Sequence, residues 1–318
     1  YQSIPIGITV EGANILTRTL IIFGQGAIRS HPYVLKEMQS VAHPDPAVGL
    51  QQFDRAFFAH AGLSISTALR SFSCGLGGSF LLSVPGGPAR RILQRTTRRC
   101  SAFALTADLS MLILGGNLKR KEKLSGRLAD ILANLYLISA MVKQFEERGR
   151  PEEELPLLEW SCAESLRAID SAFAGFFCNF PNRPVAWLLR LLTFPLGIHP
   201  QGASDRLGHR VATLLMAPSA LRDRLTAGIY LPIGTEEALG RIEDALTKVI
   251  AAEAVEKKLR AARKARQIFA TDDSEALSEG VAAGVISIAE AEMVEAANTA
   301  RREVIRVDDF PPDYGKIL

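Results

Sequence analysis

One carboxylate near the start of the chain is placed for base chemistry. Glu11 stands in "GITVEGANILTRTL", residues 7–20, between a β-branched residue, Val10, and a glycine, Gly12. It is the only acid between Tyr1 and Arg29, and its surroundings are mostly apolar. Burial in such a setting raises a carboxyl pKa toward the range of a working general base. Gly12 removes the neighbouring side chain and lets a substrate or a flat cofactor come close. A helix that begins at Gly12–Asn14 turns free backbone N–H groups toward a phosphate-bearing ligand. The plain alternative is an acid in a first helical turn, favoured there by the helix dipole.

The other reactive residue types carry weaker signals. "LIIFGQGAIR", residues 20–29, holds Gly24-x-Gly26 after an apolar run, but Arg29 occupies the place of the third glycine of a dinucleotide fingerprint. No series of strands follows to build the parallel sheet that such a fingerprint needs. Two glycines within a helix instead permit close approach of another helix or a ligand. His31, His43, His60, His199 and His209 include no i, i+4 pair, so capping and surface roles are expected and no metal site. Cys74, Cys100, Cys162 and Cys178 form no C-x-x-C pair. They read as small buried apolar residues in a reducing compartment.

These residues must be positioned by helices. Strand signals are scarce. Over residues 118–147, Leu124, Leu128, Ile131, Leu135, Ile138, Met141 or Val142, and Phe145 recur at steps of about four and three, an apolar seam along one helix. Solvated charges flank it, and Gly149 and Pro151 stop it. Residues 155–178 place Leu158, Cys162, Leu166, Ile169, Phe173 and Phe176 on one side. Asn182 caps a helix with Pro184 in its first turn. Ser204 caps a run to Met216, Thr235 with Glu236 and Glu237 begins another helix, and Ser287 precedes a last one. Residues 72–90 and 193–204 read as connectors. The basic run 256–266 reads as a solvated helical face. The fold class is therefore all-α.

Bulk composition narrows the function classes. Hydrophobic residues make up 47% of 318 and charged ones 22%, enough for a packed core. A net charge of +3 and 7% aromatics argue against nucleic acid as a partner. No run of about 18 apolar residues is present, so no bilayer-spanning segment is expected.

"VEGANILTR", Val10 to Arg18, resembles the catalytic segment of acyl-CoA dehydrogenases, with Val10 at an aromatic position, Glu11 at the catalytic glutamate and Arg18 at an arginine. The longer string from Tyr1 to Leu35, "MLILGGNLKRKEKLSGRLADILANLYL" and "VIRVDDF" resemble the bacterial fatty-acid-degradation branch of that family, with its C-terminal extension. The resemblance implies α,β-dehydrogenation of a fatty acyl-CoA, with Glu11 removing the α-proton and FAD accepting the β-hydride. Gly12 would contact the acyl-CoA, and Ala13, Asn14 and Ile15 would contact FAD. Ala13 replaces a threonine and Ile15 a polar residue of many members, which leaves backbone contacts there. It further implies N-terminal domains of the same enzyme, electron-transfer flavoprotein as acceptor, a homo-oligomer, and a cytoplasmic place, with inner-membrane association through the N-terminal part.

On this reading residues 1–40 end the catalytic helical bundle and 41–318 form the bacterial-type helical extension. Without further domains, the helix at 13–30 is expected to expose Leu20, Ile21, Ile22 and Phe23. The rival reading is a non-catalytic scaffold or oligomerisation module in which Glu11 is only a cap.

Overall fold

The computed structural model describes residues 17–80, 82–232, 234–270 and 272–307, and among them there is no strand. The chain divides into two compact units, Tyr1–Leu215 and Met216–Leu318.

The first unit opens with α1 (Thr17–Gln25), wound with the wider π pitch, which runs on into α2 (Gly26–Ser30). After a short turn come α3 (Val34–Val41), α4 (Pro46–Leu76) and α5 (Arg90–Leu114). The short α6 (Asn117–Arg120) leads into α7 (Glu122–Glu147), and α8 (Leu155–Asn179), α9 (Arg183–Thr193) and α10 (Asp205–Met216) follow, the unit boundary falling at the last residue of α10.

The pairing of α7 with α8 is the centre of this unit. The seam expected on α7 is buried: Leu124, Leu128, Ile131, Leu135, Ile138, Val142 and Phe145 all lie in the core. At the ambiguous step Val142 takes the core position and Met141 stays half-buried. Facing it, α8 buries Leu158, Cys162, Leu166, Ile169, Phe173 and Phe176. Each such apolar side chain contributes about 1.5–3 kcal/mol on burial. Phe173 also packs on Phe194 at 5.1 Å between ring centres, and Phe176 on Phe180 at 5.4 Å. By length and composition α7 is apolar enough to cross a bilayer, but its seam is the floor of this core. Gly149 at φ +82° ends it, as the backbone N–H of Arg150 turns back to the carbonyl of Phe145 at 3.0 Å.

Two expectations shift. The stretch 72–76, read as connector, continues α4 to Leu76. Gly75 sits inside the helix because a Cβ there would lie 2.6 Å from Cδ of Pro195; tertiary approach overrides its poor helix propensity. Two of the four cysteines, Cys100 and Cys178, are exposed rather than core residues. Cys74 and Cys162 are buried as expected, and burial pushes the Cys162 thiol up to about 12.

One buried ion pair joins α5 to α8. Arg99 Nε donates to Asp170 Oδ1 at 2.9 Å and Nη2 to Oδ2 at 2.5 Å. Both side chains are less than 10% exposed, at 8% and 5%.

The second unit holds α11 (Ala220–Leu225), α12 (Ala238–Lys264), α13 (Asp273–Ala282) and α14 (Ile288–Ile305). Its core joins Ala252, Val255, Leu259 and Ala262 of α12 to Leu277, Ile286, Val294 and Ala297. α12 begins at Ala238, three residues after Thr235, with Glu237 extended. The carbonyl of Gly234 lies where a Cβ on Gly240 would fall, 1.8 Å away. The chain thus folds back over the first turn and sets the helix start. The basic run is a solvated, ion-paired face: Lys257 meets Glu253 at 2.7 Å and Lys258 meets Glu290 at 2.5 Å.

Ser287 heads α14 with a reciprocal cap. Its Oγ accepts from Glu290 N at 3.2 Å, and Glu290 Oε2 accepts from Ser287 N at 2.8 Å. Ser287→Ala is expected to lower the stability of this unit by about 1 kcal/mol. Faster amide hydrogen exchange at the start of α14 would register it, and unchanged exchange would contradict it.

Candidate functional site

The sequence-predicted site residues Glu11, Gly12, Ala13, Asn14 and Ile15 lie outside the described residues. The structure describes the helix they lead into and how this chain holds it. Near the beginning of α1, Arg18 lays its guanidinium along α7. Nε donates to Asp130 Oδ1 and Nη2 to Oδ2, both at 2.5 Å. The hydrogen bond to Asp130 raises the Arg18 pKa, burial opposes it, and the Asp130 charge adds to the rise. The two side chains remain 47% and 38% exposed, so the pair adds little stability. Its bidentate geometry fixes the rotation of α1 on α7. Gly126, one turn before Asp130, makes room: a Cβ there would stand 3.1 Å from Arg18 Nη1.

Further along, Phe23 is 2% exposed and meets Phe103 of α5 edge-on, with ring centres 6.3 Å apart. The expectation that Phe23 stands exposed is thereby corrected. This chain covers it: α1 packs on α7, and Phe103 of α5 meets the Phe23 ring. The side chains of Leu20, Ile21 and Ile22 fall outside the description.

Beside α1 and α2 lies a cavity of about 430 Å³. Phe23, Phe103, Leu105 and Met111 give it apolar walls, and Gly26 lines one side. The second glycine of the Gly24-x-Gly26 pair thus borders the open space that its spacing anticipates. The polar end of the cavity is formed by His31 and Asp108.

There the fold gathers residues that sequence spacing does not connect. His60 of α4 stands between two carboxylates. Its Nδ1 is 2.8 Å from Glu37 Oε1 on α3, and its Nε2 is 2.7 Å from Asp108 Oδ1 on α5. Ser64 donates to the other oxygen, Asp108 Oδ2, at 2.5 Å. An acceptor at each ring nitrogen favours the form of His60 that carries hydrogen on both. Burial lowers its pKa, but the bonds to Asp108 and Glu37 and their charges outweigh burial and raise it.

His31 behaves in the opposite way. Its Nδ1 accepts from the backbone N–H groups of Tyr33 and Val34, at 3.2 and 3.1 Å, and so caps α3. The hydrogen then sits on Nε2, 3.8 Å from Asp108 Oδ1. Burial holds the His31 pKa down, against the pull of Asp108. His31, His60 and Asp108 bring ligand atoms within 4.8 Å of one another, near enough to hold a metal ion together. In the arrangement described, His60 and Ser64 share the Asp108 carboxylate, a pattern that favours the protonated form of His60. Surface or capping roles were expected of the histidines, and His31 takes the capping one. The His60 clamp was not anticipated, because its partners come from helices 23 and 48 residues away.

The sign of the pH dependence follows. A raised folded pKa makes the His60 contribution complete below about pH 6.5 and lost as pH rises through the folded value. The lowered pKa of His31 removes stability as pH falls below about 6.5. The stability advantage of the wild type over His60→Gln is expected to shrink as pH rises above about 6.5. Both tryptophans, Trp160 and Trp187, lie in the first unit, so urea unfolding followed by their fluorescence measures it. An advantage that stays flat over that range would contradict the assignment of the proton.

Residues 28–310 match the family of bacterial-type acyl-CoA dehydrogenase C-terminal domains. The match begins within α2 and runs past the end of α14, so it takes in the His60 cluster, the α7–α8 core and the second unit. No solved structure matches the chain. An all-α chain matched over this length belongs to the family of bacterial-type acyl-CoA dehydrogenase C-terminal domains.

Proposed function

We propose that this chain is the C-terminal part of a flavin-dependent acyl-CoA dehydrogenase that converts fatty acyl-CoA to trans-2-enoyl-CoA, with Glu11 as the base. One observation carries the reading. The helix that follows Glu11 in the sequence is held through Arg18 on Asp130 of the matched family domain, which supports reading the base and this domain as parts of one enzyme.

In this reading Glu11 takes the α-proton, which the thioester carbonyl acidifies, and the Cα–H electrons form the new double bond. A bound flavin supplies the hydride acceptor for the β-hydrogen. Gly12 leaves room for the acyl-CoA beside the base. The donor set that this chain brings to a flavin is small: Asn14 has the one polar side chain among the three positions, and Ala13 and Ile15 offer backbone groups. That suits one edge of a flavin, with its other walls and most of the CoA site supplied by N-terminal domains of the same enzyme.

The uncovered apolar side chains of α4, among them Phe58, Ile65 and Leu69, support the view that further protein packs on this domain. Electron-transfer flavoprotein as acceptor, a homo-oligomer and a cytoplasmic or inner-membrane place belong to the same proposal.

The test is to compare this chain with the polypeptide that includes its natural preceding sequence. Each is purified with excess FAD and freed of unbound cofactor. The longer polypeptide is expected to keep a flavin band that acyl-CoAs bleach without oxygen, and the 318-residue chain to be colourless. A longer polypeptide that holds flavin but resists bleaching by acyl-CoAs of every length would overturn the proposal.

A further inference from the structure

The first three turns of α5 carry more positive charge than their neighbours balance. Arg91, Arg95 and Arg99 stand at successive four-residue steps, and Arg98 falls beside them, so four guanidinium groups share one side of one helix. Arg99 is engaged by Asp170. Arg91 donates to the carbonyl of Gly78 at 3.0 Å and lies 3.6 Å over the Phe80 ring. Arg95 and Arg98 are half-buried, and among the described residues neither has a carboxylate at ion-pair distance. Arg98 only approaches the Phe194 ring, at 5.4 Å.

Two buried polar atoms here lack a hydrogen-bond partner: Nε of Arg98, and Oγ of Ser71 on α4, the helix packed against α5. One turn after Ser71, Cys74 feels the charges of Arg70 and Arg98, but burial holds its thiol above the usual range. It therefore adds no negative charge. Burial first, and then the Arg99 charge, push Arg91, Arg95 and Arg98 below the ordinary arginine range. Guanidiniums crowded in this way repel one another, and half-burial weakens the water that would screen them.

We propose that this arginine face of α5 binds a phosphate-bearing ligand. Phosphate fits better than a carboxylate, because it carries up to two charges and three acceptor oxygens, enough for several forked donors at once. Arg91 is exposed and Arg95 and Arg98 are half-buried, which leaves the face open to a ligand yet partly dry. The site does not depend on Glu11 or on the dehydrogenase reading. Two sources share the chemistry, a soluble phosphate ester and a lipid headgroup.

Calorimetric titration of the 318-residue chain with inorganic pyrophosphate tests the first source. Co-sedimentation with phosphatidylcholine vesicles, with and without phosphatidic acid, tests the second. Arg95→Gln and Arg98→Gln are each expected to weaken the binding that is found by about 10- to 100-fold, and Arg210→Gln, an exposed arginine of α10, to leave it unchanged. Without ligand, the Arg95 and Arg98 variants should unfold at the wild-type midpoint or above it, because repulsion is relieved. Pyrophosphate binding without vesicle binding assigns a soluble ester, and phosphatidic-acid-dependent sedimentation alone assigns a headgroup. Failure of both, or binding unaffected by either substitution, overturns the proposal. So does a lower midpoint in both variants, which would make the arginines structural.

Discussion

In the flavoenzyme proposed to contain this chain, Glu11→Gln is expected to lower turnover by about 10²–10⁴-fold. The carboxamide keeps the shape of the carboxylate and loses the lone pair that accepts the α-proton. Acyl-CoA should still bind, because Gly12 and the backbone beside it are untouched. The loss should therefore fall on kcat and not on KM, the pattern of a group that acts in the transition state. Anaerobic stopped-flow recording of flavin reduction measures the chemical step, and equilibrium titration with acyl-CoA measures binding. Bleaching at a rate near that of the wild type would remove Glu11 from the base role. Loss of flavin from the variant would point to a structural part for Glu11 at the helix start, the rival reading of this residue.

Asp170→Ala should produce the largest change in stability, about 3–5 kcal/mol. Asp170 is 4% exposed and holds both forks of Arg99 across the α5–α8 contact. Its charge also acts on Arg95 and Arg98. Removing it leaves a buried guanidinium without a partner and a helix face with positive charge alone. The pair itself is worth much less than this loss, because burying both ions in the first place is unfavourable. The double variant Arg99→Met with Asp170→Leu, of similar volume, should recover most of the stability. Urea unfolding read by Trp160 and Trp187 compares the three proteins. If Asp170→Ala costs less than about 1 kcal/mol, water reaches the pair and the α5–α8 contact is looser than described.

Much of the helical architecture was written locally. The seams on α7 and α8 are legible because residues three and four apart share a helix face, so the core positions of Leu128, Ile131, Leu166 and Phe173 follow from spacing alone. Asn182, Ser204 and Ser287 announce helix starts for a reason equally local, since each side chain accepts from a backbone N–H within three residues. The Glu11-Gly12 pair is a candidate for base chemistry from the sequence alone and lies outside the described residues.

What the sequence could not fix is which faces meet. The extension of α4 through Gly75 depends on Pro195, which lies far along the chain. The choice of Val142 over Met141 depends on the face that α8 presents. Arg18 and Asp130 are 112 residues apart, Arg99 and Asp170 are 71, and His60 and Asp108 are 48. Each pair joins charges that look like ordinary solvated residues in their own segments. Their partners are decided only when helices pack and water is excluded, since a polar group that loses its water must find whatever donor or acceptor the neighbouring helix brings within reach.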